Sequence, residues 1–237
     1  MQRRTQRGRD SCTRKKRRVT RSEEFSAQDR EAIYRVIASR RDVRRGFLSE
    51  DVPEDVLLRV LDAAHRAPSV GLSQPWRFIV VRDRRTREKV HAAFLEANAR
   101  AAARYEGEQT AAYRALRLEG ILSAPVNLCV VCDDDPQRGH GLGRQTMPET
   151  IRYSTVCAVQ NLWLAARAEG LGVGWVSILE PDAVRSILGI PPKITVVAYL
   201  CVGYVDAFAA EPDLVTAGWE TSLPLAEVVD HERYGAG

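Results

Sequence analysis

Between Val156 and Ala166 the chain carries eleven consecutive positions of which only Gln160 and Asn161 are polar. They fall inside 149–169, a stretch whose composition predicts one long helix. A helix that is apolar on nearly every side has to be surrounded by other elements. Eleven residues are far short of the ~20 needed to cross a bilayer, so this helix is expected at the centre of a soluble fold. The 237 residues, 45% hydrophobic and 28% charged, are enough to build that surround as one domain. They exclude wholesale disorder, a collagen-like rod and a disulfide scaffold.

Caps and periodicity give the neighbouring elements. Ser26 with Asp29 three residues on is a helix start, and Ile33, Val36 and Ile37 follow at helical spacing. That helix runs out into Ser39-Arg40-Arg41-Asp42-Val43-Arg44-Arg45-Gly46. Pro53 opens a second helix, with Glu54 and Asp55 in its first turn and an apolar stripe at Val56, Leu57, Val60, Leu61 and Ala64. A loop over 67–75 leads into a strand from Trp76 to Val81. Residues 83–120 predict two helices broken near Gly107, Ala124 to Cys132 a buried strand, and 133–148 a polar loop. After the long helix, Gly170, Gly172 and Gly174 lead into a strand over 175–178. A short helix over 182–188 and a last strand from Ile194 to Val205 complete the order. With no internal repeat, α α β α α β α β α β implies a single α+β domain with a central sheet of few strands.

Charge is unevenly placed. Residues 1–22 hold ten basic side chains against the single acid Asp10, a net +9 in a chain whose total is +4, so the body is mildly acidic. A block of like charge with almost no apolar residues cannot offset its ordering entropy, and 1–24 is expected to be a disordered basic tail. It lacks the apolar core of an export signal. It is either a dangling end or a tether to polyanions; the absence of aromatic interleaving or a recognition-helix pattern argues against a nucleic-acid-binding protein.

Five cysteines are scattered: Cys12, Cys129, Cys132, Cys157 and Cys201. Cys129 and Cys132 form a Cys-x-x-Cys, but in a strand positions three apart point to opposite faces. No second pair or nearby histidine completes a zinc site. Reduced core thiols, no metal and a cytoplasmic setting are expected.

Three constellations could carry chemistry. If 40–44 is extended, Arg40, Asp42 and Arg44 share one face while Arg41 and Val43 point the other way. Paired guanidiniums suit a phosphate, though the same pattern fits a surface ion-pair cluster. The loop Pro68-Ser69-Val70-Gly71-Leu72-Ser73-Gln74-Pro75 offers hydroxyl and amide groups for the polar edge of a flat heterocycle, or is a plain turn. Alternate glycines in Gly170-Leu171-Gly172-Val173-Gly174-Trp175 permit close approach of a ligand or of another backbone. They are not a dinucleotide fingerprint, which should open a helix. A P-loop and a nucleophile elbow are both missing.

Taken together, Arg40-Arg41-Asp42-Val43-Arg44, Ala67-Pro68-Ser69 with Gln74-Pro75-Trp76, and Gly170-Leu171-Gly172-Val173-Gly174-Trp175 resemble the FMN-dependent nitroreductase superfamily. Arg40-Arg41-Asp42-Val43-Arg44, Gly141-Leu142-Gly143-Arg144-Gln145-Thr146-Met147-Pro148-Glu149-Thr150 and Gly172-Val173-Gly174-Trp175-Val176-Ser177-Ile178 narrow the resemblance to its 5,6-dimethylbenzimidazole synthase branch, over about 25–234, and Tyr199-Leu200-Cys201-Val202-Gly203-Tyr204 and Gly218-Trp219 agree with it.

The resemblance implies a nitroreductase-like flavin domain over 25–237, with a central mixed sheet and a C-terminal extension, from 206 on, onto a homodimer partner. It implies oxidative fragmentation of reduced FMN with O₂ to 5,6-dimethylbenzimidazole, the lower ligand of cobalamin, and erythrose 4-phosphate. The reduced flavin would come from a separate NAD(P)H-dependent reductase. The alternative is an ordinary NAD(P)H-dependent FMN nitroreductase or dehydrogenase that recycles its flavin.

Arg40 and Arg44, with Arg41 and Val43 completing the segment, would hold FMN phosphate and ribityl oxygens. Ser69 and Gln74 would meet the polar edges of the ring. Asp42 and Ser177 would be catalytic, the carboxylate relaying protons and the hydroxyl bonding the flavin. Helices over 99–120 would form a lid. One departure stands out: where the superfamily often has a basic residue before a C-terminal Pro-Leu, this chain reads Glu220-Thr221-Ser222-Leu223-Pro224-Leu225.

Overall fold

The computed structural model describes residues 25–235; the basic segment 1–24, expected to be disordered, lies outside them. Helix α1 (Ala27–Ser39) starts at the predicted capping box, in which the Ser26 hydroxyl accepts the Asp29 N–H and the Asp29 carboxylate accepts the Ser26 N–H. Helix α2 (Glu54–His65) begins directly after Pro53, which serves as its N-cap.

Strand β1 (Trp76–Val81) follows a short 3₁₀ turn at Val70–Leu72. Next come α3 (Arg84–Ala102) and α4 (Glu108–Ala115), parted at Gly107 with φ +56°. Strand β2 (Val126–Asp133), helix α5 (Thr150–Ala168), strand β3 (Leu171–Trp175), helix α6 (Pro181–Leu188) and strand β4 (Ile194–Tyr204) complete the body. A one-turn helix α7 (Asp213–Thr216) lies in the C-terminal segment. Among the described residues no helix is long and apolar enough to cross a membrane.

The strands form one sheet in the order β1-β2-β4-β3, every neighbouring pair antiparallel. Parallel pairing enters only where Asp42 bridges Val173 at the outer edge of β3. On one face Leu128, Val130, Val173, Leu200 and Val202 pack against Leu57 and Val60 of α2 and Val159, Leu162 and Trp163 of α5. On the other, Cys129, Val131, Tyr199 and Cys201 meet Val90 and Phe94 of α3 and Val184 of α6. Cys129 and Cys132 do lie on opposite faces, since the Cys132 thiol is directed at the carbonyl of Ile151 in α5.

Two expectations change. The third strand is the glycine run itself, ending at Trp175, so Ser177 lies beyond the strand and is exposed. Helix α5 is central, but its burial is one-sided: Tyr153 is 55% exposed, Val156 42%, and Cys157 is exposed as well. Beside it, α1 presents Ile33, Tyr34 and Ile37 to the outside. The face of α5 that carries Tyr153, Val156 and Cys157 is left uncovered within this chain.

Candidate active site

After α1 the backbone turns extended at Arg40 and runs beside β3, with the Val43 N–H donating to the Val173 carbonyl at 2.9 Å. Only glycine lets it lie that close. A Cβ on Gly174 would stand 2.0 Å from the Val43 carbonyl oxygen, and one on Gly172 would stand 2.5 Å from Val205 Cγ1. Gly174 therefore serves the approach of another backbone, and Gly172 makes room for the side chains of Val205 and Val43.

That approach seats Asp42. Its Oδ1 accepts the Trp175 N–H at 3.0 Å, and its Oδ2 accepts Arg44 Nη2 at 2.7 Å. Arg44, its side chain only 15% exposed, also donates through Nη1 to the carbonyl of Arg117 at 3.3 Å, just past the end of α4. Asp42 and Arg44 share a face as expected. Arg40 places its guanidinium 5.1 Å from the Trp163 ring centre instead of joining the pair. Arg41 donates to the carbonyls of Ala38, Arg40 and Ala210, and Val43 is buried. A cavity of about 270 Å³ opens here, lined by Arg41, Asp42, Arg44, Arg45 and, from the C-terminal segment, Asp206 and Asp213. Arg44 also borders a second cavity, of about 570 Å³, which reaches Phe94, Asn98 and Arg117.

The loop before β1 is a built structure. The Ser69 hydroxyl accepts the Gln74 N–H at 3.1 Å, and the Val70 N–H donates to Ser154 Oγ of α5 at 3.0 Å. Leu72 and Gln74 have φ of +54° and +45°, conformations that only such bracing maintains in non-glycine residues. Gly71 abuts the loop 139–143 so closely that a Cβ would lie 3.0 Å from the carbonyls of both Gly139 and Leu142. From that second loop Arg138 Nη2 donates to Gln74 Oε1 at 3.2 Å.

These two groups sit at opposite corners of the sheet. Asp42 flanks β3 at one edge, level with Val173, Val202 and Val126, whereas Gln74 precedes β1 at the other edge. Four strand spacings across and about eight residues along place them on the order of 30 Å apart. Ser177 joins neither group. It lines a small hollow with Trp175, Pro181 and Tyr199, and its hydroxyl has no hydrogen bond among the described residues.

The helices expected to form a lid are clasped by the C-terminal segment. Tyr105 and Tyr113 stack at 4.7 Å, Trp219 stands edge-on to Tyr105 at 5.5 Å, and the Tyr113 hydroxyl donates to Asn98 at 2.7 Å. Residues 206–219 thus fold onto their own chain, helped by Arg167 over Phe208 and the Arg45–Asp213 pair. This corrects the expected start of the extension: only from Glu220 to Gly235 is every residue exposed. Arg117, Arg138 and Trp219 were not singled out as site residues. Arg117 and Arg138 carry no local motif, and the Gly218-Trp219 pair says nothing of its tyrosine partners.

Comparison with known proteins agrees with this architecture. The chain is 45% identical over 200 residues to a 5,6-dimethylbenzimidazole synthase of Rhodospirillum rubrum, covering 84% of this chain and 94% of that one. It is 28% identical to a putative NADH dehydrogenase/NAD(P)H nitroreductase of Methanothermobacter thermautotrophicus, covering 73% and 76%. Among solved structures, oxidized iodotyrosine deiodinase bound to FMN and 3-iodo-L-tyrosine has the same fold. It superposes with a TM-score of 0.66 at 22% identity, over 85% of this chain and 98% of that one. The nitroreductase family matches residues 37–204, from the end of α1 through the last strand, and the chain belongs to that family.

Proposed function

We propose that this chain is a 5,6-dimethylbenzimidazole synthase, an oxygen-dependent enzyme that consumes reduced FMN, working as a homodimer. The observation that carries the choice over a flavin-recycling nitroreductase is the gap in similarity: 45% identity to the synthase against 28% to the putative nitroreductase. When bound, reduced FMN supplies the electrons for O₂ and the ring carbons of the product, with erythrose 4-phosphate left over. A separate NAD(P)H:flavin reductase supplies it, in a reducing compartment such as the cytoplasm.

The residues present fit such a ligand. Arg41 Nε and Arg44 Nε are buried with no acceptor, as a phosphate or ribityl oxygen would require, and in the other group the Ser73 hydroxyl is buried and unpartnered. The two groups stand too far apart to touch one flavin from the same chain, so one comes from each of two copies. The uncovered apolar faces of α1 and α5 provide the surface for that pairing. The segment from Glu220, with Leu223, Leu225, Val228 and Val229 exposed, extends onto the partner.

Within each site Arg41 and Arg44, whose Nε groups lack an acceptor, hold the phosphate end, with Arg40 drawn aside over Trp163, while Ser69 and Gln74 of the other copy meet the ring. Asp42 accepts and returns protons through the second lone pair of Oδ2, the oxygen it shares with Arg44 Nη2, because Oδ1 is tied to the strand backbone. Ser177 offers its unengaged hydroxyl to the ring. The α3–α4 unit, clasped by Trp219, keeps bulk water out.

The test is to expose the protein with chemically reduced FMN to air and assay 5,6-dimethylbenzimidazole by mass spectrometry. Product is expected from the native chain, and Asp42→Asn should lower it by at least about 100-fold while FMN still binds. Intact FMN after many turnovers of NAD(P)H oxidation would establish the recycling alternative instead.

A further inference from the structure

The loop carrying Arg138 is locked against the loop carrying Gln74. Gly139, at φ +79°, leaves no room for a side chain, since a Cβ there would lie 2.8 Å from the Gly71 carbonyl oxygen. Gly143 is equally tight, with a Cβ 2.8 Å from Val70 Cγ2, and the Leu142 N–H closes the turn on the Gly139 carbonyl at 2.9 Å. Two loops some 65 residues apart in sequence are thereby held in fixed relation.

Across this junction Arg138 Nη2 reaches Gln74 Oε1. Guanidinium has only donors, so the amide atom that faces it must be the oxygen; the orientation of Gln74 is fixed by chemistry. Among the described residues no carboxylate lies within ion-pair distance of Arg138, so nothing there competes for its charge. The Gln74 backbone is pinned as well, with its N–H on Ser69 Oγ. What remains free is the Nε2 amide, with two N–H donors and no acceptor.

We infer that Arg138 is a positioning residue which locks the Gln74 amide with its donors outward, so that this half of the site selects a heterocycle edge bearing carbonyl or imine acceptors. The inference rests on the reading of Gln74 as a flavin contact and adds the residue that orients it, together with the polarity it presents.

The experiment is a double-mutant cycle on the dimeric protein, reading the dissociation constant for oxidised FMN by quenching of flavin fluorescence. Loss of one net hydrogen bond corresponds to about a fivefold change. Gln74→Ala and Arg138→Ala should each weaken binding by about that factor, and the double variant should be no weaker than Gln74→Ala alone. Arg138→Lys, which keeps a donor and the charge, should stay within about twofold.

Gln74→Glu separates orientation from mere loop support. It keeps and strengthens the contact to Arg138 but removes both donors, so FMN binding should fall as far as in Gln74→Ala. Wild-type binding by Gln74→Glu, or additive losses in the double variant, would overturn the inference while leaving Gln74 a flavin contact. Wild-type binding by Gln74→Ala would instead remove the flavin reading of that residue. Far-UV circular dichroism and melting of each variant identify any that fail to fold, in which case Arg138→Lys and Gln74→Glu carry the comparison.

Discussion

Replacing Gly174 by alanine tests whether the carboxylate is placed by close packing of two backbones. In an exposed strand this substitution should stabilise, because alanine loses less chain entropy on folding, by about 0.5–1 kcal/mol. Here the new Cβ would stand 2.0 Å from the Val43 carbonyl oxygen, against the 3.4 Å of an ordinary contact. The 42–43 segment has to retreat by more than an ångström. A shift of that size stretches the Val43–Val173 bond of 2.9 Å and the Trp175–Asp42 bond of 3.0 Å past hydrogen-bonding length. Two net hydrogen bonds at about 1 kcal/mol each, plus overpacking of about 1–3 kcal/mol, give a destabilisation of about 3–5 kcal/mol. Urea unfolding measures it as a lower midpoint at unchanged slope. FMN affinity should fall in parallel, because Arg44 moves with the segment. Gly174→Ala with a midpoint at or above that of the native chain would refute the argument, since sign as well as size is at stake.

Other consequences are open to measurement. Asp134 accepts both Arg152 and Thr195, and the Arg152 guanidinium holds its carboxyl below the usual carboxylate range. A depressed folded-state value contributes stability above pH ~4 that is lost as pH falls through it. Asp134→Asn should therefore lower the melting temperature at pH 6, and the difference from the native chain should close only as pH falls through the lowered folded-state value. Burial pushes the Cys129 thiol up to about 12, Cys132 to about 11, and Cys201 upward too, leaving Cys157 as the accessible thiol of the described chain. With Cys12 replaced by serine, the dimer should give no fast reaction with Ellman's reagent, because the partner covers α5; immediate labelling of one thiol would count against that interface. Trp219→Ala removes the edge-on contacts to Tyr105 and Tyr113, worth about 0.5–1.5 kcal/mol. Trypsin should then cut at Arg104 about two- to tenfold faster, as the α3–α4 unit opens more often.

Elements whose cause is local were legible from the chain alone. The Ser26–Asp29 box, the proline before α2, the break at Gly107 and the opposed faces of Cys129 and Cys132 all depend on neighbours within a few residues. The start of β3 is hidden in the sequence because glycine depresses strand propensity, and only distant residues explain why the strand needs them, Val43 for Gly174 and Val205 with Val43 for Gly172. The Asp42–Arg44 pair was readable from alternation, whereas the Arg117 carbonyl that shares Arg44 lies 73 residues away, and Arg138 lies 64 from Gln74. Such pairings are made by the packing of loops, which no periodicity announces. The apolar run of α5 implies a helix buried on all sides, whereas within one chain the face of Tyr153, Val156 and Cys157 stays exposed.

The corner-to-corner placement of Asp42 and Gln74 has a genetic consequence. In the proposed pairing each of the two sites draws on both chains, so a copy damaged at Asp42 and a copy damaged at Gln74 fail for different reasons. Combined in one cell, they assemble into mixed pairs in which one site collects both defects and the other collects neither. Two impaired alleles should thus restore activity between them, and a mutant of either kind co-expressed with the native chain should impair only one site of each hybrid pair.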